Sequence, residues 1–180
     1  LNNLFREGDI DERDFLERVN MLNDIGQNVM ISNLREYYKL VDFFSQFNIQ
    51  KLRIVLGVPT LEYIFDEKYY SDLKGGLLEA IGKMFPKNLK LYIYPTIDNN
   101  SKTLVTSKDF HPAGNVKHLL DYLFENKFIL DIQSKIADQL HVKSYEVHDM
   151  IKQGNPEWEK YVPMKIANKI KEKGLFGYKK

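Results

Sequence analysis

The stretch KLRIVLGVPT-LEYIFDEKYY-SDLKGGLLEA-IGKMFPKNLK-LYIYP, Lys51 to Pro95, decides the fold. It opens on Leu52-Arg53-Ile54-Val55-Leu56, a branched apolar run stopped by Gly57 and Pro59. It closes on the alternating segment Leu89 to Tyr94, ended by Pro95. Both read as β-strands. Between them lies an aromatic and acidic crossover, Leu61 to Phe85. Thr60 can cap its first helix, with Leu61, Ile64, Phe65 and Tyr69 facing the sheet. Lys74-Gly75-Gly76 interrupts the pattern, and a second short helix follows from Leu77 to Phe85. Parallel neighbours need a crossover connection of this kind, so strand, helices and strand predict a parallel sheet.

Working outward, Phe15, Leu16, Val19, Leu22 and Ile25 form one stripe at helical spacing. They predict a helix over Asp11 to Ile25, capped by Asp9 or Asp11 and ended by Gly26. Asn28 to Ser32 reads as a short buried strand. A helix is expected from Leu34 to Phe47, with Tyr37, Leu40, Val41 and Phe44 inward. Downstream, Asp98-Asn99-Asn100-Ser101 is a turn signal, and Thr103 to Thr106 is expected to return antiparallel to the strand before it. After a loop from Phe110 to Asn115, a helix is expected over Val116 to Asn126 and a short strand over Phe128 to Ile132. Tyr145 to Lys152 and Met164 to Lys173 read as helices, the latter ended by Gly174.

The expected fold is α/β: a three- to four-stranded, mainly parallel Rossmann-like sheet with an edge β-hairpin and a C-terminal helical extension. Residues 1–140 form the expected body. Residues 141–180 form the expected extension, packed on the body through Trp158, the only tryptophan.

With 180 residues, 43% hydrophobic and 28% charged, the chain can bury a core and solvate its surface. Its 26 basic and 25 acidic residues give a net charge of +1, so no long-range field favours nucleic acid or an anionic membrane. The absence of cysteine excludes disulfides, thiolate chemistry and Cys-based zinc sites. No apolar run approaches the roughly 20 residues a bilayer span needs. The start lacks a signal pattern and begins with Leu1 rather than Met. A cytoplasmic piece of a longer polypeptide is therefore expected, partnered by its own upstream domain.

In an open parallel sheet, ligands gather beyond the carboxyl ends of the strands, near a switch in strand order. That rule selects Ser32 and Asn33, then Gly57 to Thr60, then Tyr94 to Thr96. Asn33 and Thr60 also stand at expected helix starts, where backbone N–H groups attract anions. A phosphate-containing small molecule is the ligand this arrangement suits, with simple helix capping as the alternative. Gly75-Gly76 offers either a phosphate-cradling turn or a helix break, but it lacks the G-x-G-x-x-G context. Glu62 and Asp66 share a helix face, either as a cation site or as a solvated surface. Among His111, His118, His141 and His148, no spacing sets two imidazoles on adjacent turns, so no metal site is assigned; His118 and Asp121, three apart, can pair locally. His111, in the loop after the hairpin, is the candidate acid–base group. Lys165, Lys169, Lys171, Lys173, Lys179 and Lys180 make a basic end, read as a solvated helix face.

Val29 to Leu40 (VMISNLREYYKL), Leu56 to Glu79, Leu89 to Pro95, and the ending GNPEWEKYVP with LFGY resemble an uncharacterised bacterial family found as the end region of longer proteins. Its members carry inconsistent names, nicotinate-nucleotide adenylyltransferase among them. The H-x-G-H and I-S-x-T-x-x-R motifs that such enzymes need do not occur here. The family implies no catalytic residues. Locally, Leu22 to Asn33 resembles the second motif of haloacid dehalogenase-like phosphohydrolases. That resemblance implies a phosphate-binding role for Ser32 at a strand end and a D-x-D nucleophile upstream of Leu1. Asp131 is the one carboxylate offered after a later strand.

Three functions follow as expectations. The first is a non-catalytic or accessory α/β domain that binds a ligand or associates with a partner. The second is a phosphate- or nucleotide-handling enzyme using Ser32, Asn33 and Thr60. The third is a homodimerisation module built on Tyr63, Phe65, Tyr69 and Tyr70, since aromatics are enriched at interfaces. No cofactor is named by any of these patterns.

Overall fold

Leu52–Gly57 (β1) and Leu89–Tyr94 (β2) run parallel in the computed structural model, from Leu52 beside Leu89 to Gly57 beside Tyr94. The structure describes residues 12–98, 101–112, 114–133, 140 and 142–179. The chain divides into two compact units: Leu34–His141, and Leu1–Asn33 together with Val142–Lys180. The expected body therefore yields its first 33 residues to the helical unit.

In the α/β unit, Ile129–Asp131 (β5) is the third strand and pairs parallel with β2, Leu91 beside Ile129. The sheet order is β1-β2-β5. The first crossover carries Val58–Ile64 (α3), a 3-10 turn at Glu67–Tyr70 and Gly76–Met84 (α4). The second carries Thr96–Ile97 (β3), Leu104–Val105 (β4) and Val116–Glu125 (α5). A mixed α/β fold with a parallel sheet and a small antiparallel pair is thus what the chain forms.

Leu61, Ile64, Phe65, Leu77, Ile81, Met84, Leu120 and Leu123 pack on Leu56, Leu89, Leu91, Ile93 and Ile129. Fully burying such a side chain stabilises by about 1.5–3 kcal/mol, which is why the helices hold to the strands. Tyr37–Ser45 (α2) joins this layer through Val41 and packs on α4. Gly76 takes φ +54°, so the Gly75-Gly76 pair breaks the helical path between the 3-10 turn and α4.

Several expectations are corrected. Asn28 to Ser32 is not a strand: residues 27–35 have no regular structure, and Met30 and Ile31 are 43% and 57% exposed. A run this short cannot be told from irregular chain by periodicity, and without a ladder partner it has nothing to pair with. The helix expected from Leu34 starts at Tyr37, after an extended Glu36. Tyr69 is exposed, and Tyr70 is buried in its place, donating its hydroxyl to the Ile64 carbonyl at 2.8 Å. The hairpin strand pairs with Thr96–Ile97, beyond Pro95, and not with β2.

In the helical unit, Glu12–Asp24 (α1) lies antiparallel to Met164–Lys173 (α7). Arg13 donates to the Lys173 carbonyl, and Lys165 donates to the Asp24 carbonyl. The predicted α1 stripe is rotated, with Met21 buried and Leu16, Leu22 and Ile25 exposed. The face that meets α7 combines the buried Met21 with two ion pairs. Glu17 pairs with Lys173 at 2.6 Å and Asp24 with Lys169 at 2.6 Å, turning the Glu17-Met21-Asp24 face toward α7. Those lysines are the basic end read from the sequence. Lys171 pairs with Glu159 at 2.6 Å.

Ser144–Gln153 (α6) ends on Gly154 and α7 on Gly174, both left-handed as a glycine helix stop requires. Trp158, 1% exposed, sits among Met21, Ile151, Ile166, Ala167, Ile170 and Leu175. It centres the helical unit's own core. No helix of the described residues is long and apolar enough to cross a membrane.

Candidate functional site

Strand order in this sheet never reverses. With right-handed crossovers, consecutive order places every connecting helix on the same face. The core confirms this: it takes Leu52, Ile54 and Leu56 from β1, Leu89, Leu91 and Ile93 from β2, and Ile129 from β5. The opposite face holds the alternate residues. Across its middle run Val55, Tyr92 and Leu130, in register. Toward the amino ends lie Arg53 and Lys90, and toward the carboxyl ends Gly57 and Tyr94.

Parallel strands normally have both faces covered. Here Val55 is 59% exposed and Tyr94 48%. Arg53 donates to the Leu52 and Asn88 carbonyls, which pins its guanidinium at the amino edge. Neither Arg53 nor Lys90 has a carboxylate partner among the described residues. The face is thus an apolar and aromatic band with a cationic end.

The carboxyl rim follows different chemistry from that expected. Gly57 is buried under the Tyr94 ring. Tyr37 adjoins the same corner, and burial, then Tyr94, push its hydroxyl above the ordinary tyrosine range. Thr60 is not a cap: α3 begins at Val58 with Pro59 in its first turn, no side chain caps it, and its seven residues give too short a dipole for an anion site. Thr96 opens the hairpin opposite Val105. Ser32 is half-buried and Asn33 exposed on the irregular segment of the helical unit, so neither a strand end nor a helix start presents them. The expected five-residue phosphate cluster is therefore split between the two units, with Gly57, Thr60 and Thr96 in one and Ser32 and Asn33 in the other.

His111 is exposed, two residues past Asp109. Asp109 accepts the Thr106 N–H at 2.7 Å and the Thr106 hydroxyl at 2.8 Å. Those bonds, with a smaller contribution from His111, lower its carboxyl below the usual range. The Gly75-Gly76 turn is no phosphate cradle either. The Gly75 N–H already donates to Glu79 Oε2 at 3.0 Å, and Glu79 is held by Lys83 at 2.7 Å. Asp66 pairs with Lys68 and caps the 3-10 turn, which removes it from any cation site with Glu62. Among the described residues, no three His, Asp or Glu side chains are grouped to hold a metal.

Of the dimerisation aromatics, Phe65 and Tyr70 are buried, leaving the exposed pair Tyr63 and Tyr69 in edge contact at 6.0 Å. Sequence reasoning missed Ser107. It is fully buried beside β5, its N–H donates to Asp131 Oδ1 at 3.0 Å, and its hydroxyl has no partner among the described residues. It also missed the open face, although the signal was present. Arg53, Lys90, Tyr92 and Tyr94 at alternate positions are not what strands buried on both sides carry.

Compared with known protein families, characterised proteins and solved structures, the chain finds no match.

Proposed function

We propose that the chain is a non-catalytic accessory domain whose α/β unit associates with an amphipathic helix of a partner polypeptide through the open sheet face. One observation carries this reading: Val55, in the middle of a parallel strand, is left 59% exposed on a face that also presents Tyr92, Leu130 and Tyr94. Helices are what cover parallel sheets, because crossover connections put them there. The cationic end at Arg53 and Lys90 selects a helix that carries carboxylates at one end and an apolar stripe along its length.

The absence of cysteine makes the test clean. In a Val55→Cys chain the single thiol should react freely with a small maleimide. A Glu- and Leu-rich amphipathic peptide helix should protect it, a Lys- and Leu-rich counterpart should not, and Lys90→Glu should weaken the protection. Equal protection by both peptides, or none by either, would overturn the reading. So would a thiol already shielded in the chain alone, because a second copy or the chain itself would then occupy the face.

A further inference from the structure

The helical unit contains a cationic hollow that the sheet-face reading does not involve. Arg13, Asp14 and Arg18 of α1 form one wall, and His148 and Lys152 of α6 another. The turn Gly174-Leu175-Phe176-Gly177 closes it, around a cavity of about 410 Å³. Spacing explains the walls. Asp14 and Arg18 are four apart on α1, and His148 and Lys152 four apart on α6, so each pair shares a helix face.

Three permanent cations thus face one carboxylate in a chain whose overall charge is +1. Asp14 is committed to Arg18, with Arg18 Nε 2.7 Å from its Oδ2. The Arg18 guanidinium also sits 4.9 Å from the centre of the Phe176 ring, and the His148 ring meets Phe176 edge-on at 5.6 Å. Phe176 has φ +56° and ψ +27°, a left-handed conformation that bulky side chains avoid. Backbone strain of this kind concentrates where a structure holds a ligand. Gly174 and Gly177, both at positive φ, flank it, and a side chain at Gly177 would press on Lys152 Cγ at 3.2 Å.

We propose that this hollow binds a small phosphate monoester, its dianion held by Arg13, Arg18, Lys152 and His148 and its organic part resting beside Phe176. Guanidinium forks pair with carboxylate and phosphate alike, but cations arriving from two helices suit a dianion with three peripheral oxygens better than a singly charged carboxylate. The volume leaves room for more than the phosphate alone. Burial, then Lys152 and Arg18, hold the His148 imidazolium below its ordinary range, with Asp14 and Asp149 opposing. An arriving dianion reverses that field, so binding takes up a proton at His148 and strengthens as pH falls toward about 6, below which the phosphate itself takes up a proton.

The test is calorimetric titration of the full chain with phenyl phosphate, inorganic phosphate and acetate at fixed ionic strength, alongside the imidazole resonances of His148. Expected are saturable binding of phenyl phosphate, weaker binding of inorganic phosphate, and a raised His148 pKa in the complex. Arg13→Gln and Lys152→Gln alter exposed side chains and should keep the Trp158 emission unchanged while weakening phenyl phosphate about tenfold each, the loss of one charge-assisted bond. The proposal falls if phenyl phosphate does not saturate at millimolar concentration. It also falls if acetate binds equally well, or if both variants bind as the parent does with His148 unmoved.

Discussion

Tyr94 lays its ring over Gly57, the residue beside it on the neighbouring strand, so closely that a Cβ on Gly57 would stand 3.0 Å from Tyr94 Cζ. The two are one packing unit: a glycine weakens a strand because it has no side chain to pack, and an aromatic neighbour supplies what is missing. Gly57→Ala should therefore displace the ring and destabilise the α/β unit by about 1 kcal/mol, since Tyr94 is partly exposed and can swing away. In Tyr94→Ala the same Gly57→Ala change should cost almost nothing. Urea unfolding of the four chains of this cycle measures the coupling, and additive losses would show that the ring does not depend on Gly57.

Ser107 buries a hydroxyl beside a backbone N–H that Asp131 already satisfies. An unpaired buried hydroxyl is a cost, and removing it relieves that cost without opening a large cavity. Ser107→Ala should leave the protein as stable or up to about 1 kcal/mol more stable. Asp131→Ala should destabilise it, because the Ser107 N–H then loses its acceptor. A marked loss of stability in Ser107→Ala would show that the hydroxyl holds a partner of its own.

Much of this architecture was legible from Lys51 to Pro95, because Gly57, Pro59 and Pro95 punctuate two apolar runs whose lengths admit only strands. Phe128 to Ile132 was legible for the same reason. Asn28 to Ser32 was not: Val29-Met30-Ile31 satisfies a strand pattern locally, yet strands exist only where a ladder receives them, and β1, β2 and β5 complete the sheet without it. That one misreading moved the candidate site. With Asn28 to Ser32 read as a strand, Ser32 and Asn33 joined the expected crevice at the carboxyl ends, and without it the order runs straight and the helices crowd onto one face. The face of α1 was hidden for a different reason. Its outward apolar stripe obeys helical spacing, but Glu17 and Asp24 are drawn to lysines about 150 positions away, a pairing no local pattern displays.

Tyr70 makes the α/β unit sensitive to alkali. Burial, followed by the smaller influence of Tyr38, Glu36, Asp66 and Tyr69, pushes its hydroxyl from 10.0 to about 12. The folded state thus keeps the proton where the unfolded chain gives it up. The stabilisation is complete below the unfolded value and is lost as pH rises through the folded one. Stability should fall between about pH 10 and 12. Tyr70→Phe should be less stable at neutral pH by about 1 kcal/mol, because the Ile64 carbonyl loses its donor, and its alkaline decline should be shallower. Urea midpoints across that range provide the measurement, and parallel declines would remove Tyr70 as the cause.

Acid should act on the other unit. The Lys173 hydrogen bond holds the Glu17 carboxyl below its usual 4.5, and the Lys169 hydrogen bond holds Asp24 below its usual 3.8. Depressed carboxylates contribute stability that is present above their unfolded values and lost as pH falls through the folded ones. The α1–α7 pairing should loosen below about pH 4, and Trp158, the only tryptophan, should report it from within the same core as Met21 and Ile170. Glu17→Gln with Asp24→Asn should be less stable at neutral pH and should flatten the acid transition of Trp158 fluorescence. Raised salt should weaken the parent more than the double variant, because these ion pairs are only partly buried and salt screens them. A Trp158 transition with the same acid slope in both chains would place the sensitivity elsewhere, and Glu17 and Asp24 would then serve only to set the register of α1.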